Sequence, residues 1–290
     1  MPDELKPVPP IRRRQLAYRL AELRDEARMT QDDAVRATGL SRSTISKIEN
    51  AEQSILEKNV RLLAGAYGVT SPELDMLLRM ARESNNRGLL VAHADVAPDF
   101  ARDYIRLESY ATEVWTLETA FVAGLLQVPE YVRAVSLVSK PNASEADLRQ
   151  VVEVRAERQR RLTGSNPPRL RVVLDEGVFD RMVGGPDVAA VQTEHLIKMS
   201  SLPHISIQLM PKSAGPYRGM DYAFSVLRFD STPGMDVAYA EGWMSATYYE
   251  KQREVEEHVS LFAQISTAAL SPEETRSALD TLAGALGSDN

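Results

Sequence analysis

Between positions 30 and 50 the chain reads Thr30-Gln31-Asp32-Asp33-Ala34-Val35-Arg36-Ala37-Thr38-Gly39-Leu40-Ser41-Arg42-Ser43-Thr44-Ile45-Ser46-Lys47-Ile48-Glu49-Asn50. Arg42, Ser43, Thr44, Ser46 and Lys47 are short polar or basic groups interleaved with Ile45 and Ile48 at helical spacing. A helix that buries the two isoleucines turns the polar set outward. Groups of this kind hydrogen-bond base edges and phosphates in a major groove. An arginine can donate two bonds to O6 and N7 of one guanine, worth about 1–3 kcal/mol of discrimination. Serine carries little base information, so the residues point to a mode of reading and leave the sequence read unspecified.

Two helices must position that face. Thr30 is an N-cap with Asp33 placing negative charge in the first turn, and Ala34, Val35 and Ala37 give a small apolar face. Gly39 stops the first helix because it accepts positive φ without strain. Ser41 caps the second. Ala34 lets the helices approach closely, and Leu40, Ile45 and Ile48 pin the second one, which is what a helix-turn-helix requires. The bland alternative is a helical bundle with a solvated Arg/Ser face.

The stretch resembles the DNA-binding domain of the phage-repressor family (Cro/C1, or xenobiotic-response-element type), with its T-Q-x-x-[small]-x-x-x-G-[apolar]-S-x-x-x-I-S-x-[apolar]-E-N pattern. By that resemblance Gln31 hydrogen-bonds a phosphate, Arg42, Ser43 and Lys47 face base edges, and Ser41, Thr44 and Asn50 hold the DNA backbone. Glu49 is implied to pair with Arg24 in a structural ion pair. One departure stands out: the loop after Asn50, usually basic, here offers Glu52 and Glu57 with only Lys58. Backbone affinity is then expected to lean on Arg12, Arg13 and Arg14 or on dimer avidity.

Around this motif the first 84 residues read as five short helices. Leu16, Leu20, Leu23 and Ala27 form the stripe of the first, Val60, Leu63, Ala64 and Tyr67 that of the fourth, and Ser71-Pro72-Glu73 opens the fifth. Ser84-Asn85-Asn86-Arg87-Gly88 is polar and rich in turn formers, giving a helix-turn-helix domain over 1–84, a linker over 85–99 and a regulatory or dimerisation domain over 100–290. Positions 99–162 read as helical, with Arg155, Arg158, Arg160 and Arg161 making one stretch strongly basic. After Pro167-Pro168 the period changes. Leu170, Val172 and Leu174, then Ile205, Ile207 and Leu209, alternate as half-buried strands, with further strands at 222–229, 236–240 and 245–249 and two closing helices. The fold class is a mainly α N-terminal domain followed by an α+β one.

Composition bounds the rest. The 290 residues carry 34 Lys+Arg against 41 Asp+Glu, a formal charge of −7 that argues against a nucleic-acid partner when taken whole. Residues 1–84 hold 14 basic and 13 acidic groups, so the deficit belongs to the remainder. No apolar run reaches a membrane span and no signal-peptide architecture opens the chain, so the expectation is a cytoplasmic, nucleoid-associated protein. The lack of cysteine excludes disulfides, thiolate nucleophiles and cysteine zinc sites.

The segment from about Phe100 resembles the uncharacterised C-terminal domain that follows this helix-turn-helix in many actinobacterial regulators. The match runs through Tyr104–Glu108, Gly124-Leu125-Leu126-Gln127, Arg155–Gln159, Val173–Glu176, Ile205–Pro211 and Tyr239-Ala240-Glu241, with Ala123 where the family has proline. The resemblance implies an antitoxin-like regulator encoded beside a small partner protein. Asp175, Glu176 and Glu241 are the candidate paired carboxylates, and His93, His195, His204 and His258 show no metal-ligand spacing. No nucleophile elbow or phosphate-binding glycine loop is present, so neither catalysis nor a cofactor or metal is expected. Trp115, Tyr131, Tyr217 and Trp243 are candidates for a ligand or partner site, with the 212–219 loop as its cover; ordinary core aromatics are the alternative.

The sequence thus reads as a homodimeric, sequence-specific DNA-binding regulator of transcription that receives a small molecule or neighbouring protein. Its rival is an antitoxin-like interaction module in which DNA binding is secondary.

Overall fold

The computed structural model describes residues 11–85, 99–229 and 235–288. Two compact units divide the chain, residues 1–88 and 89–290.

The N-terminal unit holds α1 (Ile11–Glu26), α2 (Gln31–Thr38), α3 (Arg42–Glu49), α4 (Glu57–Ala66) and α5 (Glu73–Asn85). α1 packs on α5 and α3, and α4 closes over α2 and α5. Leu16, Leu20, Ala34, Ile45, Ile48, Leu63 and Leu77 are fully buried between them. The expected end of the fifth helix near Arg82 moves to Asn85, so Ser84 and Asn85 are helical. Of the expected linker, positions 86–98, with His93, lie outside the described residues, and Asp99 opens a helix.

One expectation about α1 is overturned. Arg12 is no surface group: it is 2% exposed, its Nε 3.0 Å from Glu83 of α5 and its Nη1 donating to Gln15. Arg19 is spent on Glu22, Glu26 and Glu73. A run of arginines thus ties helices together, and Arg12 is removed from the DNA-binding reserve.

The C-terminal unit is built on a six-stranded mixed sheet in the order β3-β2-β1-β4-β5-β6. These are β1 (Glu113–Glu118), β2 (Arg169–Asp175), β3 (Ile205–Met210), β4 (Phe224–Arg228), β5 (Val237–Glu241) and β6 (Ala246–Tyr249). β1, β2 and β3 run parallel, and β4 to β6 are antiparallel additions. The helices are α6 (Asp99–Glu108), α7 (Pro129–Ser139), α8 (Glu145–Gln159), α9 (Pro186–Met199), α10 (Gln252–Ala268) and α11 (Pro272–Ser288). α10 packs on β1, β3, β4 and β5 over Trp115, Leu117, Phe224, Val226 and Phe262.

β1 corrects the reading of 99–162 as helical throughout. Val114, Trp115, Thr116 and Leu117 are all buried, so this inner strand has no alternation for a period-2 search to find. β2 likewise buries Val172, Val173 and Leu174 in succession, where a half-buried strand was expected.

Candidate nucleic-acid interface

The turn that aims α3 is built from local bonds. Asp33 N donates to Thr30 Oγ1 at 3.1 Å and Thr30 N to Asp33 Oδ2 at 2.8 Å, a reciprocal cap that also holds the Asp33 carboxyl below its usual range. Gly39 sits at φ 72°, in the left-handed region, and its N–H closes α2 onto Val35 O. Ser41 Oγ then accepts Thr44 N at 3.1 Å and starts α3. Eight helical residues at about 1.5 Å each give a rod of roughly 12 Å, and a helix about 10–12 Å across is what a major groove about 12 Å wide admits.

α3 is fastened from behind. Ile45, Ile48 and Ala34 are 0% exposed. Glu49, 8% exposed at its side chain, accepts Arg24 Nε at 2.7 Å and Arg24 Nη2 at 3.3 Å, tying α3 to α1. Its hydrogen bonds hold the Arg24 guanidinium above its ordinary range. Gln31 Nε2 donates to the same carboxylate at 2.8 Å, a bond the sequence did not disclose. The second amide hydrogen and the backbone N–H of Gln31, at the start of α2, have no partner among the described residues. Beside this network the buried Tyr67 hydroxyl has no partner among the described residues, and burial followed by the nearby Glu49 charge pushes its pKa up to about 12.

The front of α3 is open. Arg42, Ser43, Lys47 and Asn50 are exposed, and Thr44 is half-buried with its hydroxyl 2.8 Å from Ser41 Oγ. Asn50 Nδ2 donates to Ser46 Oγ at 3.3 Å. Arg42 has a single acidic neighbour among the described residues, Asp32 at 3.6 Å, and both side chains are more than half exposed. Such a pair is worth about 0–1 kcal/mol, little enough for a guanine or phosphate to displace. Lys47 makes no ion pair among the described residues, so its charge is available.

The residues singled out in the C-terminal unit do not form one site. Trp115 is a core residue, 7% exposed, with its ring flanked by the Arg171 and Arg228 guanidiniums at 4.7 and 4.9 Å. Tyr217 packs against the same core and donates to Asp175 Oδ2 at 2.8 Å. Tyr131 is buried, its hydroxyl accepting Val122 N. Trp243 lies apart at 93% exposure, beside Met244 at 79%, between β5 and β6. The acids are likewise committed: Asp175 also accepts Gly177 N, Glu176 accepts Lys212 N, and Glu241 accepts the Tyr239 hydroxyl. Burial lowers the pKa of His195, His204 contacts Leu162 O, and His258 contacts Glu254 O and the Tyr222 hydroxyl. Among the described residues no group of acids and histidines could hold a metal ion.

Comparison with known proteins gives two family matches. A helix-turn-helix domain matches residues 15–77, and a domain of unknown function, DUF5753, matches residues 101–281. No curated protein and no solved structure matches the chain.

Proposed function

The chain belongs to the DUF5753 family and carries a helix-turn-helix domain ahead of the family segment, and from that premise we propose that it is a sequence-specific, non-enzymatic regulator of transcription. The observation that carries this reading is α3, fastened behind by Ile45, Ile48 and the Arg24–Glu49 pair and open in front through Arg42, Ser43 and Lys47. In this reading Arg42, Ser43 and Lys47 meet base edges, while Gln31, Ser41, Thr44 and Asn50 meet phosphates. Two copies place their recognition helices about 34–36 Å apart on a pseudo-palindromic cytoplasmic operator. The C-terminal unit dimerises or receives the signal. A signal shifts operator affinity only by interacting differently with DNA-competent and incompetent states.

The experiment is selection of bound duplexes from a random library by the full-length protein. Enrichment of a two-fold symmetric site, lost when Arg42 and Lys47 are both replaced by alanine with the fold intact, is the expected result. Undiminished enrichment by the double variant overturns the assignment. A second reading, an antitoxin-like module that neutralises a small neighbouring protein, draws on the exposed Trp243–Met244 pair, an apolar tip suited to a protein partner. Co-purification with the product of the adjacent gene, abolished by Trp243→Ser, distinguishes it.

A further inference from the structure

The face of the sheet opposite α10 carries a polar row. Register places Thr116 of β1 beside Ser225 of β4, Ser225 beside Tyr239 of β5, and Tyr239 beside Tyr248 of β6. Ser225 Oγ donates to Thr116 Oγ1 at 3.0 Å, and the Tyr104 ring of α6 lies 4.5 Å from the Tyr239 ring. Two residues further along their strands, on the same face, stand Glu118 and Glu241. Glu118 is half-buried and accepts only the Thr116 hydroxyl, at 3.3 Å, among the described residues.

α8 and the turn after it bring four long donors to this region, and three are spent. Arg158 donates twice to Glu108 at 2.7 Å, Gln159 serves the carbonyls of Gly124 and Gln127, and Arg161 serves those of Glu108 and Ala111. The fourth, Arg155, is half-buried and makes no hydrogen bond or ion pair among the described residues. It rests against Gly124, where an added Cβ would fall on its Nη1. The turn's carbonyls are already held by Gln159, so Arg155 is not its clamp. A half-buried guanidinium with no hydrogen-bonded or salt-bridged partner is costly. Burial, then the neighbouring Arg158, lowers its pKa to about 10. Arg155 and Arg158 meet beside Gly124, and Arg158 lies over the Tyr104 ring at 5.7 Å, which sets Arg155 near the row; the charges of Glu108 and Glu118 both act on it, yet neither is in salt-bridge contact with it.

We propose that Arg155 and Glu118, above the Thr116–Ser225–Tyr239 row, form a binding site for a small organic oxyanion. A carboxylate or phosphate group meets the Arg155 guanidinium, and hydroxyl or amine donors on the same molecule meet Glu118. Each oxyanion presents a pair of oxygens that a guanidinium fork takes bidentately. Occupancy gives the C-terminal unit the signal assigned to it above, and to that extent the inference builds on that reading.

The test is NMR of the arginine Nε–Hε resonances of the full-length protein, titrated at constant ionic strength with inorganic phosphate and separately with acetate. One resonance, identified by its absence from Arg155→Gln, shifts saturably with at least one of the two ions, and which ion it follows assigns the oxyanion. Gly124→Ala keeps every charge but displaces the guanidinium, and it weakens the response by about tenfold or more, the loss of one charge-assisted bond. Arg149→Gln, exposed on the same helix, responds as the parent does. Absence of saturation with both ions overturns the proposal, as does an undiminished response in Gly124→Ala. The titration contains no DNA, so its failure leaves the DNA-binding reading standing.

Discussion

Replacing Glu49 with alanine removes the tie between α3 and α1. The carboxylate is 8% exposed and the Arg24 side chain 14%, with contacts at 2.7 and 3.3 Å plus the Gln31 bond at 2.8 Å. Deleting one partner of a buried pair costs about 3–5 kcal/mol, because the other charge stays buried alone. Arg24 keeps Met29 O at 2.8 Å and the exposed Asp25 at 2.6 Å, which brings the expected loss to about 2–3 kcal/mol. A unit of this size has roughly 4–12 kcal/mol in all. The loss therefore lowers its melting temperature by roughly 10–20 °C. Both tryptophans lie in the other unit, so fluorescence does not report the change. Hydrogen exchange of peptides from α1 to α3 in rising urea does, on the full chain. A double-mutant cycle with Arg24→Ala should give a coupling above about 1 kcal/mol. A loss under about 0.5 kcal/mol with no coupling would refute the claim that this pair positions the recognition helix.

Further outcomes follow from individual residues. Gly39→Ala places a Cβ in a left-handed conformation and should cost about 1–2 kcal/mol by the same exchange measurement, while Gly39→Asn should cost less. Glu118, pushed up to about pH 7 mainly by burial against the pull of Thr116 and Arg155, holds its proton more tightly folded than unfolded. Its share of stability is full below about pH 4.5 and declines as pH rises towards 7, so Glu118→Gln should gain about 1–3 kcal/mol at pH 8 and little at pH 4.5 in urea titrations. An equal gain at both values contradicts the assignment. Operator affinity should fall steeply with salt, and Lys58→Ala, at the exposed start of α4, should reduce the log–log slope by about one.

The helix-turn-helix was legible because its signals are local. Thr30, Gly39 and Ser41 act within four residues of themselves, and Ile45 with Ile48 declares the buried face. The Arg24–Glu49 pair came only through family resemblance, since nothing in 25 residues of separation forces the contact. Distance in the chain also hid the rest. Arg12 looks like surface charge until Glu83, seventy-one positions on, is found beside it. Arg158 and Glu108 lie fifty apart, so the stretch around α8 read only as strongly basic, and Arg155, with no hydrogen bond or ion pair among the described residues, did not stand out within it. β1 was lost because a strand covered on both faces gives no alternation, and Glu118 was lost with it. The overall charge misled most directly: three arginines of α1 serve internal acids, and the groups left for DNA are few and placed by geometry.

The central claim is that α3 reads base sequence through Arg42 and Lys47. The most direct test is the ratio of affinities for the selected operator and for an unrelated duplex, at one fixed salt concentration, for the parent and for the Arg42→Ala/Lys47→Ala double variant. The parent should prefer the operator by about a thousandfold or more, and the variant should bind both duplexes nearly alike with its helices intact. A variant that keeps the full preference would contradict the account.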